Sequence, residues 1–154
     1  MAKILVVDDS PTQRSNLVKI VQGQGHDVVT ASNGMEGIEK AKQEHPDLIL
    51  MDVVMPELNG FQATRKITRD PVTESIPIIL VTTKDQETDK VWGERQGAFG
   101  YVVKPPQEAE LVAKISGLSD RLRAITRTDQ VSMTFTAATA AFTSQSINDR
   151  IHSL

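Results

Sequence analysis

The stretch of sequence that decides the fold is residues 48–60, LILMDVVMPELNG. Four apolar residues, 48–51, run directly into a carboxylate, Asp52. Continuous rather than alternating apolarity indicates a strand that is covered on both faces, which is typical of a parallel sheet. Pro56 and Gly60 follow as turn residues. The stretch therefore predicts a central strand whose charged last residue lies at a reactive edge.

Similar apolar runs recur along the chain, with helix-length segments between them. The runs are residues 4–7, 28–29, 48–51, 78–81 and 101–103. The first helical segment is predicted to open at Ser10-Pro11 and to be stopped by Gly23 and Gly25. The others are predicted at about residues 34–44, 58–69 and 86–96, and from near 107 through 118. In the second helical segment, Met35, Ile38 and either Ala41 or Lys42 fall on successive turns. Five strand–helix repeats predict an α/β, doubly wound fold with right-handed crossovers.

Composition excludes several classes of function. A chain of 154 residues with a net charge of −3 is one domain, or one domain with an appendage, and it gives no reason to expect nucleic acid or an anionic membrane as partner. The absence of cysteine excludes disulfides and thiolate metal sites. No apolar run is long enough for a signal peptide or reaches the roughly 20 residues of a membrane span. We expect a cytoplasmic protein.

Polar residues end four of the predicted strands. Asp8 and Asp9 end the first, Asp52 the third, Thr82 the fourth and Lys104 the fifth. Each has an ordinary interpretation when taken alone, as a helix cap, a structural hydroxyl or a solvated charge. In a doubly wound sheet, however, the carboxyl ends of the strands share one edge, which is where ligands bind. Their recurrence at that edge favours a functional site.

Three clustered carboxylates indicate a cation. They repel one another and raise one another's pKa unless a cation joins them, and Mg²⁺ prefers such oxygen ligands and tolerates water and phosphate in its shell. With the hydroxyl of Thr82 and the ammonium of Lys104, the set forms a cradle for a phosphoryl group. A carboxylate attacking phosphorus would give an aspartyl phosphate.

These residues resemble the receiver domain of two-component response regulators. The resemblance rests on Asp8-Asp9, on DVVMPELNG around Asp52, on VTTK around Thr82 and on YVVKPP around Lys104. Thr82 follows Asp52 by 30 residues and Lys104 follows Thr82 by 22, as in that family. The resemblance implies a flavodoxin-like or CheY-like (βα)5 fold, with a five-stranded parallel sheet in the order 2-1-3-4-5. The length of the chain adds a C-terminal extension to this pattern.

The resemblance also implies a phosphorylation site and a metal site. Asp52 would be phosphorylated by a histidine kinase in a Mg²⁺-dependent reaction. Asp9 and Asp52 would bind Mg²⁺ directly, Asp8 would bind it through water, and the Val54 carbonyl would be a further ligand. Val54 and Lys84, which follow Asp52 and Thr82 by two residues, would border the path of an attacking water and tune the lifetime of the phosphoryl group.

Three residues of the fourth and fifth strands would form the switch that the resemblance implies. Thr82 and Lys104 would contact the phosphoryl group, with Lys104-Pro105 a cis peptide that aims the lysine inward. Tyr101 would move inward when Thr82 shifts toward the phosphate. The result would be a changed affinity for a protein partner.

A narrower resemblance concerns the surroundings of these motifs. The stretches MDVVMPELNGFQATRKITRD and VTTKDQETDKVWGERQGAFGYVVKP are similar to single-domain regulators of the chemosensory system that controls type IV pili and twitching motility. This similarity implies a CheA-like kinase as the phosphoryl donor. The downstream target would be a protein, and the pilus machinery is the candidate.

Three functions compete at this stage. The first is a phosphorylation-controlled signalling protein, which is not an enzyme beyond its own phosphotransfer and dephosphorylation. The second is a phosphate sink that drains the kinase and has no target of its own. The third is an aspartate-nucleophile phosphohydrolase, which would need an acid two residues after its nucleophile as proton donor. Val54 stands there instead and argues against turnover.

The C-terminal part of the chain departs from the single-domain pattern. We expect a receiver domain in residues 1–122 and an extension in residues 123–154. Ten of the 29 residues from Thr126 onward are Ser or Thr, with only four charged residues among them. The extension is too short and too weakly basic for a DNA-binding domain. It could continue the last helix, dock on its own receiver, swap onto a second copy or stay flexible, so a monomer and a tail-mediated homo-oligomer are both open.

Overall fold

Parallel strands and helices alternate in a computed structural model of the chain, which describes residues 2–118. The strands are β1 (Lys3–Val7), β2 (Asp27–Ala31), β3 (Leu48–Met51), β4 (Ile78–Thr82) and β5 (Gly100–Val103). The helices are α1 (Pro11–Gly23), α2 (Gly34–Glu44), α3 (Gly60–Arg69) and α4 (Glu87–Arg95), followed by a helical stretch at residues 108–118. The strand order is β2-β1-β3-β4-β5, which confirms the predicted doubly wound sheet.

The three central strands supply most of the core. Every residue of β3 and β4 is buried, as are four of the five residues of β1. This burial explains why these strands read as unbroken apolar runs, since helices cover both faces of the sheet. None of the helices within residues 2–118 is long and apolar enough to cross a membrane.

Side-chain caps set where α1 and α3 begin. The Ser10 hydroxyl accepts a hydrogen bond from the Gln13 amide, with Pro11 as the first residue of α1. Asn59 and Gln62 cap α3 reciprocally, each side chain accepting from the backbone amide of the other. This capping box makes α3 begin at Gly60, two residues after the predicted start at Leu58. The capping residues, rather than apolar periodicity, mark this start.

The apolar stripe predicted for α2 was wrong at Met35. That side chain is 52 % exposed, whereas the buried residues of the helix are Gly34, Gly37 and Ala41. A Cβ atom on Gly37 would lie 3.0 Å from a methyl group of Val7. The helix therefore packs through its smallest residues, because only they allow it to approach β1 this closely.

The predicted extension, residues 123–154, lies outside the described residues.

Candidate functional site

The turn after β3 is shaped by a close backbone approach. A Cβ atom on Gly60 would lie 2.0 Å from the carbonyl oxygen of Asp52, so only glycine fits at the start of α3. The Gly60 amide also donates a hydrogen bond to the Val53 carbonyl at 2.9 Å. Glu57, at the tip of the turn, has a positive φ of 66°. The turn thus folds back on Asp52 and holds its backbone in place.

Three carboxylates meet at the carboxyl edge of the sheet. One oxygen each of Asp8, Asp9 and Asp52 lies within 4.8 Å of the other two. The register explains the proximity, since Val7 of β1 pairs with Met51 of β3 and an aspartate follows each of them. Asp8 is fully buried and Asp52 is 7 % exposed, while Asp9 is open to solvent. The cluster is therefore a buried acidic pair with an exposed third member.

Lys104 joins this cluster from β5. Its Nζ donates a hydrogen bond to Asp8 Oδ2 at 2.6 Å and lies 3.4 Å from Asp52 Oδ2. The Lys104 side chain is only 6 % exposed. The peptide bond between Lys104 and Pro105 is cis, as expected. One buried ammonium therefore balances part of the negative charge of two buried acids.

Burial raises the pKa of Asp52. Loss of hydration is the main cause, and the negative charge of Asp8 acts in the same direction. The ammonium of Lys104 and a hydrogen bond from the Val53 amide, 2.8 Å from Asp52 Oδ1, oppose the rise in pKa without cancelling it. A carboxylate that is poorly solvated and close to a second acid is one that a further cation would stabilise.

The chemistry of the donor set fits a magnesium ion. Asp9 and Asp52 offer carboxylate oxygens at the edge, whereas both oxygens of Asp8 are already engaged, Oδ1 by the Ser10 amide and Oδ2 by Lys104. Asp8 therefore suits contact through water better than direct ligation. Within residues 2–118, no group donates a hydrogen bond to the Val54 carbonyl, so that oxygen is free to act as a ligand.

The predicted switch residues lie at the ends of β4 and β5. Thr82 is fully buried, and its hydroxyl accepts a long hydrogen bond, 3.4 Å, from the Lys84 amide. The Tyr101 hydroxyl donates to the Lys84 carbonyl at 2.7 Å. The Lys84 ammonium pairs with Asp89 of the same chain at 3.4 Å. The backbone of Lys84 thus connects the Thr82 hydroxyl at the end of β4 with the hydroxyl of Tyr101 on β5.

Two residues of α1 belong to the site although the motifs did not reveal them. The side-chain oxygen of Gln13 accepts a hydrogen bond from Lys104 Nζ at 2.5 Å. The guanidinium of Arg14 donates to the Asp8 carbonyl at 2.7 Å. Their signal in the sequence was positional, since the first turn of a helix that follows β1 must lie at the same edge as Asp8 and Asp9.

A cavity of about 750 Å³ opens beside Lys104. The first two turns of α1 line one side of it, and Thr83 with the loop from Lys104 to Pro106 lines the other. Asp8, Asp9 and Asp52 do not line this cavity, which meets the site only through Gln13 and Lys104.

Comparison with known proteins matches nearly the whole described part of the chain to one family. Residues 4–116 match the family model described as response regulator receiver domain. The chain is 56 % identical over 118 residues to protein PilH of Pseudomonas aeruginosa, a match that covers 77 % of this chain and 98 % of that protein.

Two further matches differ in how much of the matched protein they cover. A crystal structure of the Vibrio cholerae chemotaxis protein CheY4 has a TM-score of 0.72 and 33 % sequence identity, covering 77 % of this chain and 98 % of that one. The alkaline phosphatase synthesis transcriptional regulatory protein PhoP of Bacillus subtilis is 39 % identical over 119 residues, but the match covers only 49 % of its length. The similarity to PhoP therefore concerns about half of that regulator.

Proposed function

This chain belongs to the response regulator receiver family, and on that premise we propose that Asp52 is the residue that accepts the phosphoryl group. The observation that carries the proposal is the convergence of Asp8, Asp9 and Asp52 with the buried ammonium of Lys104 at one edge of the sheet. Asp52 follows the central strand β3 and its backbone is held by the glycine turn. Both oxygens of Asp8 are engaged and Asp9 is exposed, so we assign Asp52 as the nucleophile.

The transfer is a single displacement at phosphorus. A carboxylate oxygen of Asp52 forms a bond to the phosphorus of a phosphohistidine whose other ring nitrogen is protonated. The P–N bond breaks, its electron pair stays on nitrogen, and the imidazole leaves as neutral histidine. The product is an acyl phosphate. Lys104 donates to an equatorial oxygen of the phosphoryl group, and the hydroxyl of Thr82 donates to another. Both interactions grow as charge develops on those oxygens.

We assign Asp9, Asp52 and the Val54 carbonyl as the residues that would hold Mg²⁺, with Asp8 acting through water. A bound Mg²⁺ would supply positive charge that lowers the repulsion between the acids and the incoming phosphoryl group. The raised pKa of Asp52 and the free Val54 carbonyl support this assignment.

The signal would leave the site through the end of β4. When Thr82 turns toward the phosphoryl group, the backbone at Lys84 follows it, and Tyr101 is tied to that backbone by its hydroxyl. The position of the aromatic ring on β5 then reports the state of Asp52. A protein target that contacts this surface would bind with altered affinity.

The similarity to PilH supports a CheA-like histidine kinase as donor and a protein of the type IV pilus machinery as target. Nucleic acid and membranes are not among the proposed partners. The cytoplasmic location that the sequence suggests stays a prediction.

A phosphate sink would use the same site residues, so the site cannot separate the two roles. Pull-down with Asp52 phosphorylated and unphosphorylated separates them, since a switch retains a target protein in one state and a sink retains only the kinase. Phosphohydrolase turnover is disfavoured because Val54, two residues after Asp52, is an exposed aliphatic residue with no proton to donate.

The proposal is tested by incubating the chain with acetyl phosphate and Mg²⁺ and recording the intact mass. We expect the mass to rise by one phosphoryl group in the wild-type chain, and to stay unchanged in Asp52→Asn or when a chelator removes Mg²⁺. Equal phosphorylation of wild type and Asp52→Asn would contradict it.

A further inference from the structure

The ammonium of Lys104 is held by two acceptors, one at the end of β1 and one on α1. Asp8 Oδ2 accepts at 2.6 Å from the end of β1, and Gln13 Oε1 accepts at 2.5 Å from the first turn of α1. An ammonium has three N–H groups and no acceptor. Two of them are used here, and the third is the one left for Asp52 Oδ2, 3.4 Å away.

A lysine ammonium rotates about its last C–N bond unless its N–H groups have fixed acceptors. With Asp8 alone, the head group could turn about a single hydrogen bond and could move toward the more buried acid. The second acceptor restricts the orientation of the head group and leaves one N–H unused, with Asp52 Oδ2 within ion-pair distance at 3.4 Å. An oxygen of the incoming phosphoryl group would lie next to that carboxylate oxygen.

The position of Gln13 is itself fixed by the start of its helix. The Ser10 hydroxyl accepts from the Gln13 amide at 3.3 Å, and Pro11 sets the backbone of the first turn. The side chain therefore reaches Lys104 from an anchored backbone. An exposed glutamine on a helix is ordinarily just solvated, but one whose oxygen meets a buried ammonium that is 6 % exposed has a specific partner.

We infer that Gln13 is a positioning residue for the phosphoryl transfer, which holds the Lys104 ammonium in the orientation that presents its third N–H to Asp52 and to the phosphoryl group. This inference rests on the proposed function of Asp52. Gln13 does not touch the reacting atoms and acts only through Lys104. Its loss lets the ammonium turn toward Asp8 and slows the transfer.

The test compares Gln13→Met with Gln22→Met. Methionine matches glutamine in length and suits a helix but offers no comparable acceptor, and Gln22 is an exposed residue of the same helix. The initial rate of mass gain is measured with acetyl phosphate and Mg²⁺. A hydrogen bond to a charged group is among the stronger ones, but this acceptor is partly solvated. We therefore expect the initial rate of phosphorylation to be roughly three- to tenfold lower in Gln13→Met than in the wild type. The rate in Gln22→Met should equal that of the wild type.

The same two variants are then made in a Lys104→Met background, where Gln13→Met should have no further effect because its partner is gone. A second readout needs no phosphorylation at all. The ¹⁵N-labelled ammonium of Lys104 should give a resolved, slowly exchanging signal in the wild type and in Gln22→Met, and a broadened one in Gln13→Met.

Each outcome decides something. Equal rates and equal ammonium signals for Gln13→Met and Gln22→Met, in a wild-type chain that is phosphorylated, would overturn this inference and leave the role of Asp52 standing. A slowing by Gln13→Met that persists in full without Lys104 would overturn it as well. A wild-type chain that takes up no phosphoryl group would overturn the proposed function, and this inference with it.

Discussion

At the scale of single residues, the site depends on a carboxylate that is costly to bury. Asp52 stands at the end of a strand where water is nearly excluded, and its pKa rises because hydration is lost and Asp8 is close. Lys104 offsets part of this cost. A cation bound beside Asp52 would offset more of this cost.

Val54 is the residue we expect to control the lifetime of the acyl phosphate. It is 58 % exposed, so Val54→Asn should fold normally. An asparagine amide there can orient a water toward phosphorus, and we expect dephosphorylation to become about three- to tenfold faster. The half-life of the mass-shifted species after removal of the phosphodonor measures this change. An unchanged half-life would reject the role of Val54.

Tyr101 gives a prediction for pH dependence. Burial, followed by the charges of Asp89 and Asp85, raises the pKa of Tyr101 from 10.0 to about 12. The unfolded chain therefore loses the tyrosine proton at lower pH than the folded one. The stabilisation from this group is present below pH 10, and it is lost as the pH rises through about 12.

The chain has a single tyrosine, so an ultraviolet titration of the folded protein reports Tyr101 alone. Denaturant unfolding across the same pH range gives the stability, with Tyr101→Phe as the variant that should lack the decline. An ordinary tyrosine pKa in the folded protein would count against the burial of the Tyr101 hydroxyl close to Asp89 and Asp85.

Among the site residues, those at strand ends could be predicted and those on helices could not. Asp8, Asp52, Thr82 and Lys104 follow apolar runs, and the rule that parallel strands end at one edge brings them together. Gln13 could not be found in this way, because its contact with Lys104 depends on a side-chain conformation that crosses from a helix to a strand end.

At the scale of elements, the turn between β3 and α3 is the part whose backbone tolerates least change. We expect Gly60→Ala to destabilise the fold by about 2–4 kcal/mol and to slow phosphorylation, because its Cβ would displace the Asp52 carbonyl. Gly23→Ala is the control, since a Cβ there meets nothing within 4 Å. Denaturant unfolding measures both variants. Equal stability of the two would contradict the close approach of Gly60 to Asp52.

The type and order of the elements followed from apolar periodicity, but two helix details did not. α3 begins where Asn59 and Gln62 cap it rather than where apolar residues start. α2 packs through Gly37 and Ala41 rather than through Met35, because close contact with β1 favours small residues over large ones. A search for apolar stripes finds the large apolar residues of a helix. It therefore misses a face that packs through small residues such as glycine and alanine.

At the scale of the whole molecule, the proposed boundary at residue 122 predicts that the receiver domain folds and is phosphorylated without residues 123–154. All the site residues, from Asp8 to Lys104, precede this boundary. A chain truncated after Leu122 should therefore be monomeric by light scattering and should be phosphorylated within about twofold of the full-length rate. A truncated chain that unfolds, or that loses phosphorylation, would show that the extension belongs to the receiver.

The full-length chain provides the matching comparison. If its mass by light scattering exceeds that of a monomer while the truncated chain is monomeric, residues 123–154 mediate assembly. If both are monomers, the extension serves another purpose, and the receiver acts alone.

The most direct measurement locates the phosphoryl group on the chain. After reaction with acetyl phosphate and Mg²⁺, borohydride reduction converts an aspartyl phosphate to homoserine, and tandem mass spectrometry of the peptides identifies the position. We predict homoserine at Asp52 and unmodified Asp8 and Asp9. Homoserine at either of those two residues, or at none of the three in a chain that has gained the mass of a phosphoryl group, would contradict the account.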